Sequence, residues 1–148
     1  MKSVGTAVVL IGMGLLGACT KPPHAADAAV VTGTAASRIQ QILPADPQKY
    51  AAVHEMKSWR NPYLIVSKNG ISLLDVGNSE EHPLQPGQLL DALAALPSAS
   101  WPYGRVVAVE ENSAALSDED RIALRRYRAV LAGTLEEAKI LINWVSPS

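Results

Sequence analysis

The stretch YLIVSKNGISLLDV places two β-rich runs, Tyr63–Ser67 and Ile71–Val76, on either side of Lys68-Asn69-Gly70. Asn-Gly between two apolar runs is a strong hairpin signal, because both residues tolerate the positive φ angles that a tight turn requires. The sequence therefore predicts an antiparallel strand pair at the start of the folded region. The remaining elements have to be built onto that pair.

Downstream of the hairpin, helical and strand patterns alternate. Four leucines recur at helical spacing over residues 88–96, and Pro97 ends this helix. The run Arg105–Glu110 is short and nearly continuously apolar, which is typical of a strand covered on both faces. Ser117 is predicted to cap a helix that ends near Gly133, and KILINWV forms the last strand.

This order, β-β-α-β-α-β, predicts an α/β (α+β) domain over residues 61–148. It has a small mixed four-stranded sheet with its helices packed mainly on one face. The polar stretch 77–87 is interpreted as a loop. Residues 38–60 form a helical extension, in which Asp46 and Pro47 begin a helix over 47–58 that could shield the other face.

The longest apolar run, Val4 to Leu16, follows a short basic start and ends in Leu16-Gly17-Ala18-Cys19. It is shorter than the roughly 20 residues that span a bilayer, and Lys21-Pro22-Pro23 would stop a membrane helix. An aliphatic residue, two small residues and a cysteine resemble the lipobox of bacterial lipoproteins. The alternative is a plain membrane helix with an incidental cysteine, which the short run disfavours.

The lipobox resemblance implies that residues 1–18 are a signal peptide and that Cys19, once lipidated, becomes the first residue of the mature chain. Several acyl chains on one residue would hold the protein durably on a membrane. Thr20 stands where an inner-membrane retention signal usually has Asp, which favours the outer membrane. Residues 19–37 are rich in Ala, Thr and Pro and are interpreted as a flexible tether.

The element order over about residues 62–146 also resembles the periplasmic domain of the TolR/ExbD family. That family couples proton flow to work in the envelope through a transmembrane helix with an essential aspartate. Here a cleaved signal and a lipid take the place of that helix. The resemblance therefore implies no proton coupling, and no family residue is carried over.

Composition and motifs exclude several kinds of site. Without residues 1–18 the chain has 12 Lys and Arg against 14 Asp and Glu, so no basic excess points to nucleic acid. A single, lipidated cysteine leaves no disulfide or thiolate site, and the histidines lack zinc spacing. Glu110 and Glu111 are adjacent on a strand and should point to opposite faces. No catalytic residue, metal or cofactor is predicted.

Two features favour binding. Arg121, Arg125 and Arg128 fall on one helix face and could meet phosphates or an acidic partner. A solvated face partly neutralised by nearby acids is the favoured alternative, because the mature chain is net acidic. Two loops next to strand starts carry aromatic and basic side chains typical of anchors for a protein partner. Their candidate residues are Trp59, Arg60, Tyr63, Trp101 and Tyr103. The alternative is that the tryptophans cover the ends of a core without phenylalanine.

The sequence thus predicts a lipid-anchored envelope protein that faces the periplasm and acts as a non-enzymatic binding or assembly factor. Its partners would be the membrane, through the N-terminal lipid, and an envelope protein. An inhibitor or immunity lipoprotein that blocks a periplasmic enzyme is one alternative. A small hydrolase is the other.

Overall fold

A computed structural model of the chain describes residues 33–53 and 55–146, so Cys19 and the predicted signal peptide lie outside the described part. Three helices and five strands follow one another within those residues. In chain order they are α1 (Ala35–Gln40), β1 (Tyr63–Ser67), β2 (Gly70–Asp75), β3 (Glu80–Leu84), α2 (Leu89–Ala95), β4 (Val106–Glu111), α3 (Asp118–Glu137) and β5 (Leu141–Val145).

The strands form one mixed sheet in the order β3-β2-β1-β4-β5. β1 and β2 pair antiparallel with Ser67 opposite Gly70, which confirms the predicted hairpin. Gly70 has φ of 141°, a conformation that residues with a Cβ rarely adopt. β3 continues the antiparallel meander, whereas β4 pairs parallel with both β1 and β5. β3 and β5 are consequently the two edge strands.

The α+β class is confirmed, but the prediction of four strands is wrong. Residues 77–87, interpreted as a loop, contain β3, which pairs with β2 from Ile71–Leu84 to Asp75–Glu80. The observed order of the sheet elements is therefore β-β-β-α-β-α-β. It differs from the order on which the resemblance to the TolR/ExbD domain rested.

Two helix predictions are also wrong. Instead of one helix over 47–58, the structure has two single 3₁₀ turns, Pro47–Lys49 and Met56–Ser58, although Asp46 does cap the first turn. α3 does not stop at Gly133 but continues to Glu137. It continues because Leu135 is fully buried one turn beyond Leu131, so burial on the same face outweighs the weak helix propensity of glycine.

The beginning of α3 is as predicted. Ser117 Oγ accepts from the backbone N–H of Asp120 at 3.1 Å, and Asp120 accepts from the N–H of Ser117 at 3.3 Å. Lys68 Nζ also donates to Asp120 at 3.1 Å. This lysine lowers the pKa of the Asp120 carboxyl, and the capping bonds add to the effect. Asp120 thus belongs to the capping box of α3 and, through Lys68, also connects the hairpin turn to the start of that helix.

The two faces of the sheet carry different cores. On one face, aliphatic residues of the strands pack against all three helices: Ile39 from α1, Leu89 and Leu93 from α2, and Leu124, Leu131 and Leu135 from α3. We call this the helix-side core. The opposite face carries an aromatic core, in which Trp59, Tyr63 and Tyr103 pack with Leu74, Val106 and Ala108. Ala45, Tyr50, Val53 and Met56 pack against this core.

Candidate functional site

Asn61 joins the two aromatic loops that precede the parallel strands β1 and β4. It is 4% exposed, and its Nδ2 donates to the backbone oxygens of Gly104 and Val106, each at 2.7 Å. Its Oδ1 accepts from the N–H of Tyr103 at 2.9 Å. Pro62, the next residue, has no N–H, so the Asn61 amide extends the β1–β4 ladder by one step. Sequence reasoning missed this residue.

The predicted aromatic anchors are not on the surface. Trp59 and Tyr103 pack edge to face at 5.2 Å, and Tyr50 lies 5.7 Å from Trp59. Trp59 Nε1 donates to the carbonyl of Pro62 at 3.2 Å, so this ring is also satisfied internally. The expectation of exposed rings at Trp59, Tyr63, Trp101 and Tyr103 is wrong, because each is at most 9% exposed. The alternative, that these residues complete the core, describes them.

Tyr63 and Glu110 form a pair on the face of the aromatic core. The Tyr63 hydroxyl donates to Glu110 Oε2 at 2.7 Å. Burial raises the pKa of Tyr63, and the hydrogen bond to the carboxylate and its charge raise that pKa further. Glu111 faces the other way and accepts from Arg128 Nη1 at 2.9 Å. The two carboxylates therefore do not converge on a common site.

Arg60, the remaining loop candidate, is exposed and lines a cavity of about 410 Å³ near the start of β1 and the end of β2. Asp75, His82 and Ser100 also line it. Asp75 is committed to the turn that follows β2, because its Oδ1 accepts from the N–H of Gly77 at 2.9 Å. Among the described residues, no group of three or more His, Cys, Asp or Glu side chains is placed to hold a metal ion.

A larger cavity, of about 700 Å³, lies between the segment after α1 and the loop that follows α2. Its walls are mainly apolar and include Ile42, Leu96 and Trp101, with Arg38 at the side. Trp101 Nε1 and Arg38 Nε have no hydrogen-bond partner within the described part of the chain, but both atoms are sealed from solvent. A molecule in this cavity would therefore not reach either donor without a rearrangement.

The arginine row on α3 is largely occupied by contacts within the domain. Arg121 forms an ion pair with Asp118 at 3.0 Å, and Arg125 Nε donates to the backbone oxygen of Arg121. Arg128 pairs with Glu111, and its guanidinium carbon lies 4.4 Å from the ring centroid of Trp144. The three side chains are exposed. Nearby acidic side chains therefore neutralise Arg121 and Arg128, as one of the two interpretations drawn from the sequence expected.

Strand β5 presents an apolar surface at the edge of the sheet. Leu141 is 54% exposed and Trp144 is 41% exposed. No described residue hydrogen-bonds to the outer side of β5, whose backbone pairs with β4 alone. The stacked, ion-paired Arg128 holds the Trp144 ring in place from the α3 side.

The other edge strand, β3, has the opposite chemistry. Its sequence is Glu80-Glu81-His82-Pro83-Leu84, and the first four of these residues are exposed. Charged residues and a proline are the devices by which sheets discourage pairing at an edge, because like charges repel and proline cannot donate a hydrogen bond. Leu141–Val145 has no charged residue and no proline. The two edges therefore differ in their capacity to accept another strand.

Comparisons with protein families, curated proteins and solved structures found no match to this chain. No helix within residues 33–53 and 55–146 has the length and apolar character needed to cross a membrane. Cys19, the predicted lipidation residue, lies outside the described residues. The outer edge of β5, with the exposed side chains of Leu141 and Trp144, is the candidate binding surface.

Proposed function

We propose that this chain is a lipid-anchored envelope lipoprotein whose domain faces the periplasm and acts as a non-enzymatic binding or assembly factor. The observation that carries the binding part is the uncharged outer edge of β5, flanked by the exposed side chains of Leu141 and Trp144. An open strand edge offers main-chain hydrogen bonds to a partner, and tryptophan is among the residues that contribute most to protein interfaces.

The anchoring part of the proposal is supported by the sequence Leu16-Gly17-Ala18-Cys19 at the end of an apolar run. Acyl chains on Cys19 would confine the domain to the membrane surface, and the composition of the following residues favours a tether. Confinement raises the local concentration of the domain near any partner in the same envelope. Thr20 favours the outer membrane as the site of anchoring.

An inhibitor lipoprotein finds less support in the geometry. That alternative would be favoured by a protruding loop over residues 77–87, able to enter the site of another enzyme. Instead, Glu80–Leu84 is strand β3, and its backbone is paired with β2. An open edge with an apolar side chain on each face fits assembly better than it fits blockage of an active-site cleft.

The anchor is tested by metabolic labelling. A Gram-negative host that expresses the chain is grown with a palmitate analogue that carries an alkyne. We expect the label on the wild-type chain and on the control Thr20→Ala, and none on Cys19→Ala. The mass of the mature wild-type chain should correspond to a chain whose first residue is Cys19. A wild-type chain that starts at Met1, or that carries no label, would refute the anchor.

The binding surface is tested by placing a photo-reactive amino acid at Leu141 or, as the matched control, at Glu81 on the opposite edge. Both positions are exposed, so both can carry the probe without disturbing the core. Irradiation of living cells should give discrete adducts from position 141 and none from position 81. The absence of adducts from position 141 would count against β5 as the binding surface.

A further inference from the structure

We infer that the outer edge of β5 binds β5 of a second copy of this chain, antiparallel and centred on Asn143, so that two five-stranded sheets become one continuous sheet. This deepens the proposed function by naming the surface and its occupant. It rests on that function only for the concentration that the lipid anchor provides. The pairing itself follows from the backbone, the side chains and the charge of β5.

The backbone of β5 determines which residues can pair outward. The N–H of Leu141 donates to the carbonyl of Arg105 at 2.9 Å, so the backbone of Leu141 faces β4. Along a strand these groups alternate in direction, so those of Ile142 and Trp144 point away from β4. In an antiparallel pair, Ile142 of one copy can lie opposite Trp144 of the other, and these two residues then exchange backbone hydrogen bonds. The two-fold symmetry repeats the same hydrogen bonds between Trp144 of the first copy and Ile142 of the second.

The same register matches side chains on both faces of the sheet. Ile142 and Trp144 share the helix-side face, because they lie opposite Val107 and Val109 of β4, which belong to the helix-side core. Ile142 of one copy would therefore meet Trp144 of the other, a favourable aromatic and β-branched pair.

On the other face, Leu141 would meet Val145, which packs against the aromatic core of its own copy. Asn143 would meet Asn143 on the two-fold axis. Asn143 is therefore the residue that meets its own counterpart in this register. Its side chain is a neutral amide, which can both donate and accept a hydrogen bond.

Charge separates β5 from β3 as a self-pairing edge. Residues 141–146 carry no charge, so two copies of β5 bring no like charges together, and Arg128 beside Trp144 is already paired with Glu111. Two copies of β3 would place glutamates near glutamates and would meet Pro83, which has no N–H to donate. Self-pairing is thus favoured at one edge and opposed at the other.

The contact is small, since five residues from each copy form the strand pair. Interfaces of this kind fall below the usual size of stable complexes, so the dimer is expected to be concentration-dependent. Copies anchored in one leaflet meet at a much higher effective concentration than copies free in solution. The assay therefore has to be made on the full chain in its membrane.

Asn143→Cys tests the pairing directly. Residues opposite each other in a non-hydrogen-bonded antiparallel pair have Cα atoms about 4.5 Å apart, which a disulfide can span. Membranes that contain the full-length variant are oxidised and run on a non-reducing gel. We expect a disulfide-linked dimer as the main product, and none from the matched variant Glu81→Cys on the β3 edge.

The unsubstituted chain separates failure of the pairing from failure of the anchor. If Cys19 is lipidated, this chain has no free thiol and forms no disulfide; a dimer of the unsubstituted chain would therefore refute the anchor and not the β5 contact. Asn143→Cys that gives no more dimer than Glu81→Cys overturns the inference. So does capture of a different envelope protein in place of a second copy.

A second pair of variants covers the possibility that Asn143→Cys disturbs β5. Leu141→Cys and Val145→Cys, expressed together with different tags, should cross-link to each other, because these positions face each other in the inferred register. Leu141→Cys alone should give little dimer, since its two copies lie four residues apart along the strands. Equal cross-linking of Leu141→Cys alone and of the mixed pair would overturn the register.

Discussion

Asn61→Ala removes the side chain that joins the two loops before β1 and β4. The substitution leaves the N–H of Tyr103 and the carbonyl of Val106 without the partners that Asn61 provides, in a region where Asn61 itself is 4% exposed. The carbonyl of Gly104 keeps its bond from the N–H of Val106 at 2.8 Å. Each unsatisfied buried group costs about 1–3 kcal/mol, so we expect a loss of about 3 kcal/mol in the free energy of unfolding.

Urea denaturation followed by tryptophan fluorescence measures this loss. Trp59 and Trp101 are buried on either side of the Asn61 contact, so their emission reports the unfolding of the same region. With an m-value of about 1.5 kcal/mol per molar urea, a loss of about 3 kcal/mol lowers the transition midpoint by about 2 M. The m-value should stay unchanged if the folded state keeps its compactness.

Two further variants separate the hydrogen bonds from the loss of side-chain volume. Asn112→Ala alters an exposed asparagine and should change the stability by at most about 0.5 kcal/mol. Asn61→Asp keeps the shape and can still accept from Tyr103, but it places an oxygen against two carbonyl oxygens and should destabilise at least as much as alanine. The reasoning is refuted if Asn61→Ala loses less than about 1 kcal/mol or if Asn61→Asp is as stable as the wild type.

Two other predictions concern glycine and pH. Gly104 has φ of 78°, and a Cβ there would lie 2.1 Å from the carbonyl oxygen of Pro44. A left-handed conformation alone costs a residue with a Cβ about 1–2 kcal/mol, so Gly104→Ala should lower the free energy of unfolding by well over that amount. Gly133→Ala, in open space within α3, should gain up to about 1 kcal/mol in the same thermal or urea assay; equal effects at both glycines would contradict the account. Because Lys68 lowers the pKa of Asp120 in the folded state, the pair stabilises the fold above the ordinary aspartate pKa of about 4, and this stabilisation disappears as the pH falls through the lowered value. Urea titrations should therefore show Lys68→Met destabilised at neutral pH and the difference shrinking in acid; a difference independent of pH would contradict it.

Local signals in the sequence predicted the elements whose chemistry is local. Asn69-Gly70 between apolar runs gave the hairpin, and Ser117 with Asp120 gave the first residue of α3. The leucines of α2 and the apolar run of β4 identified both elements to within one or two residues. In each case the interactions that stabilise the element lie within a few residues of one another, so the pattern that encodes them is visible in a short window.

Three predictions were wrong, and only the first has a non-local cause. β3 has poor strand propensity, because Glu, His and Pro dominate it, and it forms on a ladder that β2 supplies. Tyr50, Val53 and Met56 recur every three residues and pack against the aromatic core, a spacing that suits 3₁₀ turns and not an α-helix. α3 passes Gly133 because its buried face extends to Leu135, a signal that the sequence contains and that the glycine outweighed in our prediction.

The candidate site depends even more on contacts that are distant in sequence. Whether Trp59 is exposed depends on the segment around Tyr50, and whether Trp144 is exposed depends on which strand lies outermost. The loops before β1 and β4 do meet, as expected for parallel strands, and Asn61 is the residue that connects them. An asparagine directly before a proline was the signal available in the sequence, but asparagine in a loop usually indicates a turn.

The exposure of Leu141 and Trp144 links the fold to the proposed assembly. At 54% and 41% exposed, these residues leave about half of their surface open to solvent within their own copy. Their hydrophobic contribution can be realised in full only when another surface covers β5, since stabilisation scales with the apolar area removed from water. The other edge strand, β3, carries the charged residues Glu80 and Glu81 at exposed positions. In the proposed association, the uncharged β5 edge would therefore contribute both outward-facing main-chain groups and apolar side chains.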